Sequence, residues 1–314
     1  MLETLSSIQR TPSLIFLAGP TAVGKSPVAL ELARQAGGEI ISLDAMQIYR
    51  EITIASDKPS AAMRRDVRHH MIDVISVEEP FSAAHYRRLA LAAIGDVCSR
   101  GKVPVVAGGS GMYMMSLLDG IFEYGEIPSG IRERLEAEPA AALYERLCQA
   151  DPEAASRISP NDKRRVVRAL EVFEATGERI SGLQKKRDGL WGKAPVRIFG
   201  LSRRRDELYR RAEDRIDAMF GRGLVDEVRA VLLKKMTPSA LGLIGIPEVR
   251  GFLDGDYGLE RAAYLMKRNT RHYIKRQMTW FNKDGRIEWI GLGPGDSPAG
   301  IAAGILKRVR EASV

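Results

Sequence analysis

Leu14-Ile15-Phe16-Leu17-Ala18-Gly19-Pro20-Thr21-Ala22-Val23-Gly24-Lys25-Ser26 is the stretch on which the fold turns. Its first five residues are apolar and uncharged, which reads as a buried parallel strand. Gly19 and Gly24 follow with four residues between them, and then Lys25-Ser26. This is the pattern of a phosphate-binding P-loop, with Gly19, Thr21, Ala22, Val23, Gly24, Lys25 and Ser26 as the anion-holding residues. A polyphosphate is held by successive backbone N–H groups, which converge only where glycine lets the chain turn tightly. Lys25 adds a point charge and Ser26 a hydroxyl able to ligate Mg²⁺, while a helix over 26–34 aims the positive end of its dipole at the anion. Pro27 falls in the first helical turn, where no N–H partner is lost.

Outward from that loop, Glu39 to Leu43 reads as a second strand ending at Asp44. Ligand sites of open α/β sheets lie beyond the carboxyl ends of the strands, so Asp44 is expected beside the loop. It is a candidate general base or Mg²⁺ ligand, and an N-cap for a helix over 45–49 is compatible with either. His69 to Val74 reads as another strand, on which adjacent histidines point to opposite faces and make a poor metal site. A helix from Ser82 leads to a buried strand over 103–107 that opens into Gly108-Gly109-Ser110-Gly111-Met112-Tyr113, a second glycine-rich turn. That strand does not end in an acid, which disfavours ordinary ATP hydrolysis.

From 124 to 190 the strand and helix alternation stops, and short helices are predicted over 129–136, 140–149, 152–158 and 163–175, then a polar tail to Arg187. Lys163, Arg164, Arg165 and Arg168 form a basic stripe there. Residues 196–201 restore a strand. Helices follow over 203–220, with Arg211 and Arg215 one turn apart, over 224–234 and over 264–281, then a strand at 287–290 and a helix at 299–309. On the 264–281 helix, Tyr264, Arg268, Arg271 and Lys275 share a face near Lys267, so cations and an aromatic can line a phosphate-tracking groove. The expected architecture is a P-loop parallel sheet flanked by helices, built from residues 1–123 and 191–314, with an all-helical insertion at 124–190.

Of 314 residues, 45% are hydrophobic and 28% charged, an ordinary soluble globular balance. No stretch approaches the roughly 18 apolar residues of a membrane helix, and a cytoplasmic protein is expected. Cys98 and Cys148 lie too far apart in the chain for a disulfide framework or zinc site and are expected to be buried thiols. The net charge is +8, and residues 191–314 carry 24 Lys and Arg against 15 Asp and Glu. All the positive excess lies in that last part, which favours a polyanionic partner, nucleic acid above all.

Taken together the motifs resemble the tRNA dimethylallyltransferase (isopentenyltransferase) family. The matching stretches are Gly19 to Ser26, Ile41 to Arg50, His69 to Asp73, Gly108 to Tyr113, Ile158 to Asp162 with Arg165 to Glu171, and Lys267 to Phe281, in family order over nearly the whole chain. The resemblance implies transfer of a dimethylallyl group from dimethylallyl diphosphate to N6 of adenosine 37 in the tRNA anticodon stem-loop. It implies Asp44 as the general base, Ser110 on the leaving side, Arg215 on the growing negative charge and Mg²⁺ through Ser26. It further implies Asp44, Ala45, Met46, Gln47 and Arg164 to Arg168 as tRNA contacts, alongside Lys267, Arg271 and Lys275 of the basic helix. A monomer is expected, since tRNA can supply a large interface. Three departures are visible: Ala55-Ser56-Asp57-Lys58-Pro59 replaces Gly-Thr-Ala-Lys-Pro, Ser110 replaces Thr, and Ala45 replaces Ser. The rival readings are a kinase of a nucleotide or small metabolite, an isopentenyltransferase acting on free AMP or ADP, and a non-catalytic RNA-binding protein.

Overall fold

β1 (Leu14–Ala18), β2 (Glu39–Leu43), β3 (His69–His70), β4 (Pro104–Gly108), β5 (Val196–Ser202) and β6 (Glu288–Gly291) form one parallel sheet in the order β3-β2-β4-β1-β5-β6. The structure, a computed structural model, describes Ile8, residues 13–122, Pro128 and residues 130–311. β1 is paired on both edges, Ile15 opposite Val105 of β4 and Arg197 of β5, and all five of its residues are fully buried. That double pairing explains its unbroken apolar run: a strand covered on both faces has no position at which a polar side chain reaches water.

Alternate residues of the strands supply two apolar faces. Ile15, Leu17, Ile40, Val105, Phe199 and Leu201 form one core cluster with the helices α1 (Lys25–Ala36) and, near the end of the chain, 298–311. α2 (Ala61–Asp66) and α3 (Ala83–Ser99) come next in the chain; α3 is capped by the Ser82 hydroxyl, packs on β2 and β4, and its buried Tyr86 donates a hydrogen bond to Ser42 O at 3.0 Å. α4 (Gly111–Leu118) leaves the second glycine turn. The chain divides into two compact units, one of Met1–Leu117 with Leu190–Val314 and one of Leu118–Gly189. The expected boundary at 123/124 and Ser129 of the expected 129–136 helix lie outside the described residues.

The second unit is helical throughout its described residues: α5 (Ile131–Ala137), α6 (Ala140–Ala150), α7 (Pro152–Ala155), α8 (Lys163–Thr176) and α9 (Ile180–Lys185). Leu135, Leu143, Leu147, Val166, Leu170 and Leu183 meet in its own core. Cys148 is exposed, against expectation, because Leu143 and Leu147 take the inward face of α6 and position 148 is turned about 100° away from Leu147. Cys98 is partly buried.

In the first unit α10 (Arg205–Gly221), α11 (Leu224–Leu232), α12 (Pro238–Leu241), α13 (Ile246–Leu253), α14 (Leu259–Phe281) and α15 (Pro298–Glu311) follow β5. α14 starts five residues before the expected 264, and α12 and α13 were not anticipated. The expected strand over 69–74 stops after His70, since Met71 and Asp73 adopt left-handed backbone (φ 61° and 59°). Asp73 there takes ion pairs from Lys58 at 2.7 Å and Arg64 at 2.6 Å, which hold the bend. As the alternation predicts, His69 and His70 diverge. His70 Nε2 lies 2.7 Å from Glu39 Oε2, and His69 Nδ1 lies 2.7 Å from Val67 O.

Glu39, 2% exposed, also accepts hydrogen bonds from Arg100 and from Lys102 at 2.8 Å. The Arg100 guanidinium above all, opposed by burial and helped by Lys102 and His70, holds its carboxyl well below the usual range. Replacing Glu39 with Gln is expected to lower the unfolding free energy by about 2 kcal/mol at neutral pH, read from urea denaturation. Because the folded carboxyl titrates below the unfolded one, its contribution is complete above the unfolded value and is lost as pH falls. The gap between wild type and Glu39→Gln is therefore expected to narrow progressively from about pH 4.5 downward.

Candidate active site

After β1 the chain turns at Gly19, where a side chain has no room: a Cβ would stand 2.7 Å from Leu201 O of β5. Ala22 follows in left-handed conformation (φ 63°), and α1 begins directly after Gly24 with no side-chain cap. The first-turn N–H groups of α1 are thus open to an anion. The carbonyls of the same loop point the other way and need donors. Lys25 Nζ donates to Pro20 O at 2.7 Å, Arg211 Nε to Ala22 O at 2.9 Å and Arg203 Nε to Val23 O at 3.0 Å. Arg215 Nη2 donates to Thr21 Oγ1 at 2.7 Å. Arg211 and Arg215, one turn apart on α10, therefore grip adjacent residues of the loop.

The loop opens on a cavity of about 660 Å³ at the carboxyl ends of the strands. Of the sequence-predicted residues, Thr21, Ala22, Gly24, Lys25, Ser26, Asp44, Ala45, Met46, Gln47 and Arg215 line it. Gly19 and Val23 shape the loop without lining the cavity. Ser110 does not line it either; its N–H donates to Leu43 O at 3.1 Å and its carbonyl accepts from Met114 N–H at 3.0 Å, at the start of α4. Asp44 Oδ1 accepts the N–H groups of Met46 at 2.8 Å and Gln47 at 3.4 Å, but 45–49 is a turn and not the helix expected. Two N–H bonds into one carboxylate oxygen stabilise that turn without α-helical hydrogen bonds.

Burial of the Lys25 ammonium pushes its pKa down to about 7, against an upward pull from Asp44 and with a further downward push from Arg215. Tyr273 of α14 lines the same cavity, and burial followed by the Asp44 charge raises its phenol well above the ordinary value. Among the described residues no group of three His, Cys, Asp or Glu side chains can hold a metal ion. The cavity does offer hard oxygen ligands of the kind Mg²⁺ shares with substrate phosphates and water: the Ser26 hydroxyl beside the anion loop and the carboxylates of Asp44, Asp57 and Asp214.

Lys267, Arg271 and Lys275 do not line the cavity. Lys267 pairs with Asp217 at 2.7 Å and Arg271 with Glu213, both acids of α10, while Lys275 is exposed. In the helical unit Arg164 is exposed, Arg165 pairs with Asp162 at 3.3 Å and Arg168 with Glu171 at 2.6 Å. Asp57, Arg211, Thr270, Arg276 and Gln277 also line the cavity; sequence reasoning noted Asp57, Arg211 and Arg276 without assigning them to the site, and missed Thr270 and Gln277. Asp57, left-handed at φ 49°, pairs with Arg222 at 3.2 Å and Arg215 at 3.5 Å. Its loop is tied down by Glu227, which accepts the N–H groups of Thr53, Ile54 and Ala55 at 2.7–2.9 Å. A signal for Gln277 was present: α14 buries Met266, Thr270, Ile274, Gln277 and Phe281 at helical spacing, and Gln277 is an amide in an otherwise apolar register.

Fold and site define a P-loop α/β protein whose anion loop faces a carboxylate across a roomy pocket. The family described as IPP transferase matches residues 47–284. A tRNA dimethylallyltransferase 1 of Trichlorobacter lovleyi is 41% identical over 285 residues, covering 89% of this chain and 93% of that protein. The crystal structure of the full-length tRNA isopentenylpyrophosphate transferase from Bacillus halodurans aligns with TM-score 0.70 at 33% identity, over 96% of this chain and 98% of that one. A eukaryotic dimethylallyltransferase, described as acting on tRNA, aligns with TM-score 0.82 at 28% identity, over 96% and 79%. The chain belongs to the IPP transferase family.

A bound polyanion restores the charged form of Lys25. Inorganic diphosphate binding near pH 8 is therefore expected to take up about one more proton in wild type than in Lys25→Met, and about none more near pH 6. Calorimetry in two buffers of different ionisation enthalpy measures the difference.

Proposed function

We propose that the chain transfers a dimethylallyl group from dimethylallyl diphosphate to the N6 amine of adenosine 37 in the anticodon stem-loop of tRNA. The observation that carries the reading is the meeting of Lys25, Arg215 and Asp44 on one cavity while β4 ends in Gly108 with no acid. A grip for a polyphosphate and a carboxylate base are present, and the acid that usually serves ATP hydrolysis is missing.

In this reading the N6–C bond forms as the allylic C–O bond breaks, the amine proton passes to the free oxygen of Asp44, and diphosphate departs. An exocyclic adenine amine is a weak nucleophile, so removing its proton as the bond forms and stabilising the leaving group are the two contributions required. The N–H groups at the start of α1, the Lys25 ammonium and the Arg215 guanidinium face the growing charge on the leaving oxygens. The Ser26 hydroxyl would hold Mg²⁺ together with the diphosphate oxygens; the ion would supply charge neutralisation there. The base must leave its stack to reach Asp44. Lys275, Arg276, Arg164 and Arg165, exposed on two helices, are suited to the RNA backbone, and the helical unit is read as a tRNA-contacting domain. Binding as a monomer follows from a partner of that size.

Asn at position 44 keeps the acceptor for Met46 N–H but cannot take a proton. Asp44→Asn is therefore expected to lower kcat for label transfer from dimethylallyl diphosphate to a stem-loop bearing A37 by about 10²–10⁴-fold. Its affinity for inorganic diphosphate should stay close to wild type. Label appearing on AMP but not on the stem-loop, or ATP consumption without RNA, would replace the reading with a small-molecule transferase or a kinase.

A further inference from the structure

Gln277 is 5% exposed, yet its amide faces the anion cavity and makes two directed hydrogen bonds. Its Oε1 accepts the N–H of Thr21 at 2.9 Å, and its Nε2 donates to Gly109 O at 2.9 Å. One side chain of α14 thus joins the two glycine-rich turns that end β1 and β4. The fit is close: a Cβ on Gly109 would lie 2.2 Å from Gln277 Nε2, so the turn carries glycine where the amide passes. A carboxamide offers an acceptor and a donor at one end, whereas a carboxylate cannot donate to Gly109 and an ammonium cannot accept from Thr21.

The consequence lies in the donors left for a ligand. Pro20 has no N–H, the Thr21 N–H is held by Gln277, and the Val23 N–H turns back to Pro20 O at 3.4 Å. The Thr21 hydroxyl oxygen accepts a hydrogen bond from Arg215. What the loop still presents are Ala22 N–H and the helix-start groups of Gly24, Lys25 and Ser26. The strand-proximal end of the cradle is therefore closed by protein groups, while its helix end is open.

We propose that Gln277 is a positioning residue that sets the length of the anion cradle, holding Thr21 away from the ligand so that the loop accepts a diphosphate and rejects a triphosphate. This deepens the function proposed above and rests on that reading. Selectivity by removal of a donor needs no clash: a third phosphate at the closed end would lose its hydration and find no N–H of Pro20, Thr21 or Val23 free to replace it.

The test compares the affinities of inorganic diphosphate and inorganic tripolyphosphate, each with Mg²⁺, for wild type and Gln277→Met by calorimetry. Wild type is expected to favour diphosphate by about tenfold or more, and Gln277→Met to bind diphosphate more weakly and bring the ratio close to unity. A loss of stability alone would lower both affinities together and leave the ratio unchanged, which overturns the proposal. So does equal affinity for the two anions in wild type. No diphosphate binding by wild type would instead overturn the functional reading itself. Amide hydrogen exchange on the wild-type protein gives a second measurement that needs no variant. Thr21 N–H is expected to be protected before any ligand is added, with Ala22 and Gly24 gaining protection only on addition of diphosphate. An unprotected Thr21 N–H in the ligand-free protein would sink the idea.

Discussion

A loop that turns its N–H groups toward one point must turn its carbonyls away from it, and the rest of this site follows from finding donors for those carbonyls. Lys25 serves Pro20, Arg211 serves Ala22 and Arg203 serves Val23. Two of these donors come from outside the strand-loop-helix unit, Arg203 from just before the helix that follows β5 and Arg211 from within it. A charge-assisted hydrogen bond contributes about twice what a neutral one does, which suits arginine to holding Ala22 in left-handed backbone. The same cations raise the positive potential over the cavity, so the groups that fix the loop also attract its ligand. Asp57 and Asp44 keep that potential from being uniform: one pairs with Arg215, the other pulls on Lys25 from across the pocket.

What the sequence revealed was governed by local rules. The apolar run of β1, the glycine spacing after it and the position of Asp44 past β2 each depend on a few neighbouring residues, and each is found where expected. The break at 71–73 was illegible because the ion pairs that Lys58 and Arg64 make with Asp73 beside the two left-handed residues are contacts no local propensity encodes. Ser110 illustrates the same limit in the site. The family resemblance implied Ser110 on the leaving side; its backbone ties β2 to α4, and the cavity is lined by Gly108 and Gly109. Arg211, noted but not assigned to the site, and Gln277, missed altogether, reach the loop from 189 and 256 positions away in sequence. Distance of that kind leaves one trace, a polar residue at a buried register, and α14 carries two of them in Thr270 and Gln277.

The basic character of the last part of the chain needs a sharper reading than its count of cations. Lys267 and Arg271 lie on the face of α14 that meets Asp217 and Glu213 of α10, so their charges join two helices that both contribute to the cavity. Such exposed or half-buried pairs contribute little stability singly, about 0–1 kcal/mol, but they fix the rotation of α14 about its own axis. That rotation aims Thr270, Tyr273 and Gln277 into the pocket and leaves Lys275 and Arg276 on the outer side near its rim. The acids of α10 thus set the register of the helix and leave Lys275 and Arg276 exposed. Residues 191–314 hold nine more cations than acids, so internal pairing cannot exhaust the positive charge. A field of that sign extends over about one Debye length, roughly 8 Å at physiological ionic strength, far enough to orient a nucleic acid before contact. The charged groups that line the cavity, Lys25, Arg211, Arg215 and Arg276 with Asp44, Asp57 and Asp214, act at the shorter range of direct contact.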